Sequence, residues 1–153
     1  MEKRTSPILL LACLFPPLAT ALGSVEHGDW VHTFGQGVDE YGTRSGDGGF
    51  VIACSGPDAL APDAPPSIYL LDWTQPTAEM PITIQVDGVA WKFQSDARGD
   101  IDMDSPATRR QFGQLWQALR AGNELRVATA DGATNTFSLH GSARALPPEP
   151  CQQ

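Results

Sequence analysis

Cys54 and Cys151 are the two residues of the chain whose chemistry follows most directly from type and spacing. Neither belongs to a C-x-x-C pair, which removes the usual zinc and dithiol-exchange patterns. In an oxidising compartment they would pair as one long-range disulfide; in a reducing one they would remain two thiols. Closing a loop of about 100 residues stabilises a fold by roughly 4 to 5 kcal/mol in the chain-entropy account. A second constellation is acidic: Asp100, Asp102 and Asp104, with Asp96 nearby, form a D-x-D-x-D run that imitates the first half of a calcium loop. The imitation stops at Ser105, where such a loop needs glycine, and at Gln111, where it needs a bidentate glutamate. The run is therefore expected to be a solvated entry to a helix, with those three aspartates kept as a weak metal candidate. His27, Asp29 and His32 invite a metal reading as well, but on one extended chain the two histidines should face opposite ways. His140, beside Gly141, has no acid or nucleophile that sequence identifies as its partner.

Nucleophilic catalysis needs an activated Ser, Thr or Cys with a base and an orienting group. Neither Cys54-Ser55-Gly56-Pro57 nor His140-Gly141-Ser142-Ala143 fits a G-x-S-x-G elbow. The chain has no Walker loop, no dinucleotide-binding glycine pattern and no H-E-x-x-H. The expectation is a non-enzyme with no cofactor.

The compartment is read from the first residues. Lys3 and Arg4 precede an apolar run over residues 8–18, and Ala19-Thr20-Ala21 supplies small residues at the cleavage spacing, so residues 1–21 read as a signal peptide. Leu10-Leu11-Ala12-Cys13 loosely imitates a lipid-attachment box, the alternative processing. The apolar run is shorter than the roughly 20 residues of a membrane-spanning helix, and no later segment approaches that length. Residues 22–153 are expected to form one periplasmic or secreted domain. The whole chain carries a formal charge of −8, and loss of Glu2, Lys3 and Arg4 leaves it one unit more negative. Such a surface repels nucleic acid.

The elements that must position these residues are mostly strands. Residues 30–34 read as a first strand, 36–48 as a polar, glycine-rich connection, and 49–54 and 67–73 as short apolar strands. Residues 57–66, rich in proline, read as a surface loop. Asp87-Gly88 joins two alternating runs in a two-residue turn that pairs Val86 with Val89, Ile84 with Trp91 and Ile82 with Phe93. A three-residue turn at Asp131-Gly132-Ala133 would pair Leu125 with Leu139 and Val127 with Phe137, with Gly132 left-handed. Between the hairpins, Phe112, Leu115, Trp116 and Leu119 mark a helix from Pro106 to Ala121, capped by Ser105 and ended by a left-handed Gly122. Trp30, Trp91 and Trp116 read as core; Trp73, ending a strand, is the candidate for a rim where a partner docks. The fold class is mainly β (α+β), an antiparallel sandwich or twisted sheet with one amphipathic helix packed on it.

From Phe50 onward the order of features resembles a known family. It runs through the strand ending at Cys54, the strand ending at Trp73, Val86-Asp87-Gly88, Trp91 to Asp96, the helix, Glu124 to Val127, Phe137-Ser138-Leu139-His140-Gly141 and Cys151. This resembles the VasI/TagO-like accessory proteins of type VI secretion; a weaker similarity is to the invasion-associated locus B family. Where the first pattern carries arginines, this chain has Ala53 and Gln85. The resemblance implies an exported, non-catalytic accessory protein whose partner is an envelope protein or cell-wall component, with Asp87 and Trp73 as binding candidates. The competing expectation is an enzyme or enzyme inhibitor acting through an exposed loop, residues 36–48 or 57–66.

Overall fold

Short alternating runs separated by left-handed turns fold this chain into two antiparallel sheets that share one core with a helix. The computed structural model describes residues 23–46, 48–71 and 79–151, Asp102 by its backbone alone. Residues 1–21, for which a signal peptide is expected, and Trp73 lie outside the described residues. In chain order the elements are β1 (Gly23–His27), β2 (Trp30–Gly35), β3 (Val38–Ser45), β4 (Gly48–Ser55), β5 (Ser67–Leu71), β6 (Pro81–Val86), β7 (Val89–Gln94), β8 (Ile101–Asp102), α1 (Pro106–Ala121), β9 (Glu124–Thr129), β10 (Thr134–Ser138) and α2 (Ser142–Ala145). Among the described residues, one sheet runs β1-β2-β3-β4-β5-β8 and the other β10-β9-β6-β7. All pairings are antiparallel.

Two corrections concern the first sheet. Residues 36–48 are not a loop: Gln36 (φ 53°) and Gly37 (φ 77°) make a two-residue turn, and Val38–Ser45 is a full strand between β2 and β4. Positive φ at both central residues is what a type I′ hairpin demands. The strand lacks apolar alternation because its inward Asp39 is engaged by His32 Nε2 at 2.5 Å, and its outward side bears Glu40, Gly42 and Arg44. In addition β1 precedes the expected first strand, and its turn at Gly28-Asp29 pairs His27 with Trp30 and Val25 with His32. The hairpin therefore sets His27 and His32 on one face rather than two.

The second sheet holds the expected β6–β7 register. The β9–β10 register differs by two residues: Leu125 pairs with Phe137 and Val127 with Asn135. The loop is Ala130-Asp131-Gly132, closed where Thr129 N–H donates to Ala133 O at 3.0 Å. Asp131 selects it, accepting from Thr129 Oγ1 and from Ala133 N–H. A shift of two preserves the faces, so Leu125, Val127 and Phe137 are all buried. Gly132 is left-handed at φ 93°, as its place in the turn requires.

Helix α1 starts at Ser105, whose side chain accepts from Thr108 N–H while Thr108 Oγ1 accepts from Ser105 N–H, with Pro106 in the first turn. Its apolar stripe of Phe112, Leu115, Trp116 and Leu119 is buried. The helix ends at Gly122, but in an extended conformation, φ −86°. Glycine is needed there for a different reason. A Cβ would come within 2.4 Å of Val86 Cγ1 and 3.1 Å of Asp87 Oδ2, so the β6–β7 turn could not close on the helix end.

The inward residues of both sheets and of α1 form a single cluster that includes Trp30, Tyr41, Phe50, Ile84, Trp116 and Phe137. Trp30 packs edge-on to Phe50, and Tyr41 edge-on to Trp116. Past β10, the backbone at Gly141 (φ 95°) lies against the β1–β2 turn so closely that a Cβ would sit 1.6 Å from His27 O. Gly141→Ala is expected to lower stability by about 3 kcal/mol or more, through overpacking against backbone. Gly113→Ala, on α1 with nothing within 4 Å, should raise it by about 0.5 to 1 kcal/mol. Urea unfolding midpoints of the two variants check both signs.

Candidate functional site

Strand alternation decides which side chains leave the core. In the six-stranded sheet Trp30, Tyr41, Phe50, Ile52, Cys54 and Ile68 point inward and are buried. Their neighbours point outward, in cross-strand rows: Thr33 opposite Glu40 opposite Ala53, and Val31 opposite Gly42 opposite Val51 opposite Tyr69. Leu71 lies opposite Gly49 one row further on. Two of these positions have no side chain. At Gly42 a Cβ would come within 3.1 Å of Val51 Cγ2, and at Gly49 within 3.0 Å of Leu71 Cβ. The missing side chains leave a trough in the sheet's outer face.

The trough is a cleft of about 420 Å³ between Asp29, Val31, Thr33, Glu40, Arg44, Val51 and Leu71. A smaller one of about 260 Å³, between Phe34, Gln36 and Val38, continues it and shares Thr33 and Glu40. Glu40 thus stands where the two meet. Tyr69 donates its hydroxyl to Glu40 Oε1 at 2.5 Å, and Thr33 Oγ1 donates to Oε2 at 3.3 Å. Burial raises the Tyr69 phenol above the usual tyrosine range, and the hydrogen bond to Glu40 adds to the shift. Tyr41, on the inner face, is pushed up to about 12 by burial and then by the charge of Asp39. At the far end of the cleft Thr43 Oγ1 donates to Asp29 O at 2.8 Å, tying β3 to the β1–β2 turn.

The residues singled out from sequence are dispersed. Cys54 and Cys151 are joined, S–S 2.09 Å and Cα–Cα 5.2 Å, across a separation of 97 residues. The C-terminal segment before Cys151 crosses α1, where Trp116 Nε1, Gln117 Nε2 and Arg120 Nε donate to the carbonyls of Pro147, Pro148 and Leu146. Asp87 is held at the β6–β7 turn, its carboxylate accepting from the N–H groups of Asn123 and Glu124. Asp102 ends β8, with Asp100 just before the strand and Asp104 just after it. Desolvation would raise the Asp96 carboxyl, but it accepts from the N–H groups of Arg98 and Asp100 and lies beside the Arg98 side chain, and together these hold it below the usual carboxylate range. His140 Nδ1 lies 3.9 Å from Asp29 Oδ2 on the exposed side of the Gly28–Gly141 contact. Among the described residues no three His, Cys, Asp or Glu side chains converge on a metal position. No described histidine side chain is hydrogen-bonded to a Ser, Thr or Cys side chain, and nothing in the fold or site indicates catalytic activity.

Glu40, Thr33 and Tyr69 were not visible as a site in the sequence. They lie on three strands, and β3 itself reads as a loop. The one available signal was the two-residue turn at Gln36-Gly37, which implies a strand after it.

The fold is a module of two antiparallel sheets closed by a helix, with an acidic cleft on its outer surface. The chain belongs to the YfjT family, whose sequence model matches residues 28–146. That span runs from the β1–β2 turn to the end of α2. No curated protein matches the chain, and no solved structure does.

The chain's two tyrosines provide a test of this electrostatic arrangement. Both phenols hold their protons more tightly folded than unfolded. Stability is thus fully present below pH 10 and falls as pH rises from about 10 toward the folded values, about 12 for Tyr41. In a spectrophotometric titration, phenolate absorbance is expected to be nearly absent at pH 10 and to appear only as the pH approaches about 12 or the protein unfolds. A normal titration curve near pH 10 in the folded protein contradicts the geometry.

Proposed function

We propose that the chain is an exported, non-catalytic binding module of the bacterial cell envelope, which engages an envelope protein or cell-wall component through the outer face of its six-stranded sheet. The observation that carries this reading is the open cleft, with a fixed carboxylate at its centre and aliphatic walls beside it. Clefts of about 300 to 1,000 Å³ with a few fixed polar groups are the usual form of ligand sites. A disulfide that ties the C-terminal segment to β4 supports an oxidising compartment. The leader read at residues 1–21 supports the same compartment. Association with type VI secretion is part of the proposal, supported by the order of strands, helix and cysteines noted above. Among the described residues no helix is long and apolar enough to cross a membrane.

A second reading, an inhibitor-like loop, is favoured by one observation. Leu60 is 99% exposed at the tip of the loop between β4 and β5. The loop's base is fixed where Gly56 N–H donates to Gly37 O at 2.7 Å.

Cell fractionation with alkylation of non-reduced, denatured protein tests export and pairing together. The expected result is a processed protein in the periplasm or medium with neither Cys54 nor Cys151 labelled; a full-length, doubly labelled cytoplasmic protein overturns the proposal. Crosslinking and recovery from the periplasm then separates the surfaces. Val31→Arg, in the outer face of β2, should abolish partner recovery, while Leu60→Asp should leave it intact; the opposite pattern favours the loop.

A further inference from the structure

The geometry points to the Glu40 cleft as a binding site for a small linear alkylammonium ligand, its cationic head on Glu40 and its aliphatic tail along Val31, Val51 and Leu71. This rests on the outer face being the binding surface and adds the chemistry of what it holds.

Three observations lead there. The first is an incompletely used carboxylate. Glu40 is half-buried, and its partners among the described residues are the neutral hydroxyls of Tyr69 and Thr33, one on each oxygen. A carboxylate has about four acceptor positions. No described Lys, Arg or His is ion-paired with it. A cation placed beside this carboxylate, in a trough partly shielded from solvent, gains electrostatic free energy that bulk water would screen.

The second is the fixed direction of the group. Donation from Tyr69 on β5 and Thr33 on β2 holds the carboxylate from both sides of β3, so a ligand meets it without a further ordering cost. With one position on each oxygen already taken, a compact ammonium with three rotatable donors suits the remaining positions. A planar guanidinium fork, which needs both oxygens side by side, suits them less well.

The third is the wall beyond it. One row along from Glu40, roughly 7 Å away, stand Val31 and Val51, with Leu71 one row further. They supply apolar surface for a hydrocarbon tail and no acceptor for a polar one. At that far end Asp29 and Arg44 complete the lining. The site therefore selects a cation with an apolar tail and rejects an anion of the same shape.

The test uses the mature, oxidised protein and three probes of one length: n-hexylammonium, 1-hexanol and hexanoate. Backbone amide shifts followed by NMR are expected to saturate with n-hexylammonium, in β2, β3, β4 and β5 around the cleft. 1-Hexanol should bind at least ~10-fold more weakly, and hexanoate should produce no shifts there. Glu40→Gln should lower n-hexylammonium affinity at least ~10-fold and leave that of 1-hexanol unchanged. If Glu40→Gln does not fold, the preference of the unaltered protein for n-hexylammonium over 1-hexanol, and its decline with added salt, decide the matter. Equal binding of 1-hexanol, shifts outside the cleft, or full retention in a folded Glu40→Gln protein overturns the inference. Failure to bind in a protein that is exported and oxidised sinks this assignment and leaves the envelope-binding reading in place. A reduced cytoplasmic protein that still binds n-hexylammonium does the reverse.

Discussion

The contact between the β1–β2 turn and the segment following β10 is made by backbone, and the rest of the molecule is arranged around it. Asp29 N–H donates to His140 O at 3.0 Å, Trp30 Nε1 donates to Ser138 O at 3.1 Å, and glycines at 28 and 141 let the chains approach. Backbone carbonyls are obligatory hydrogen-bonding groups, and here those at the end of β10 are taken up by donors from the β1–β2 hairpin. The consequence is that β10 lies over β3 and Phe137 reaches Phe50, with ring centroids 6.4 Å apart. The common core of the two sheets follows from this junction. Helix α1 then closes the open side, its Leu119 carbonyl taking the buried Ser142 hydroxyl at 2.6 Å.

With the large apolar side chains committed to that core, the outer face of the six-stranded sheet is left with small and polar residues. An antiparallel sheet with one solvated face usually reads apolar inside and polar outside. Here the outside departs from that pattern, because Gly42 and Gly49 remove side chains where Val51 and Leu71 stand. The departure produces a trough with aliphatic walls rather than a flat polar surface. Glu40 is stable there because Tyr69 and Thr33 donate to it; the same bond that fixes the carboxylate keeps the phenol protonated well above its ordinary range.

Much of the framework was legible in the chain. The helix, its Ser105 cap and the β6–β7 hairpin could be placed to the residue, because periodicity, capping chemistry and a two-residue turn all act over a few positions. What was illegible depended on distant neighbours. β3 hides because Asp39 and Glu40 are satisfied by His32, Thr33 and Tyr69, partners that only pairing brings within reach. The β9–β10 register slipped by two because the Asp131 side chain, rather than alternation, chooses where the turn closes. By local pattern Gly122 reads as a left-handed stop, whereas its requirement is a close approach by Val86, separated from it by the whole of α1. A single extended chain puts His27 and His32 on opposite faces, and the Gly28-Asp29 reversal brings them to one. The Glu40 cleft shares this origin: its three polar residues come from three strands, and no local pattern joins them.

The disulfide and the cleft make separate contributions to the molecule. The matched family span ends at residue 146, before Cys151, and already contains both sheets and both helices apart from β1. Cys151 therefore acts on a framework whose contacts lie within that span, and its effect is chiefly to restrict the unfolded chain and hold the C-terminal segment across Trp116. The cleft is positioned by strand pairing: Thr33 faces Glu40 through the β2–β3 ladder, and Tyr69 is brought near through β4. Cys54 adjoins this arrangement through the backbone of β4, where it lies opposite Asp39 with its side chain buried in the core. The disulfide and the cleft thus lie on opposite faces of one sheet, so the staple can be lost at a cost in stability without a change in the chemistry the cleft presents.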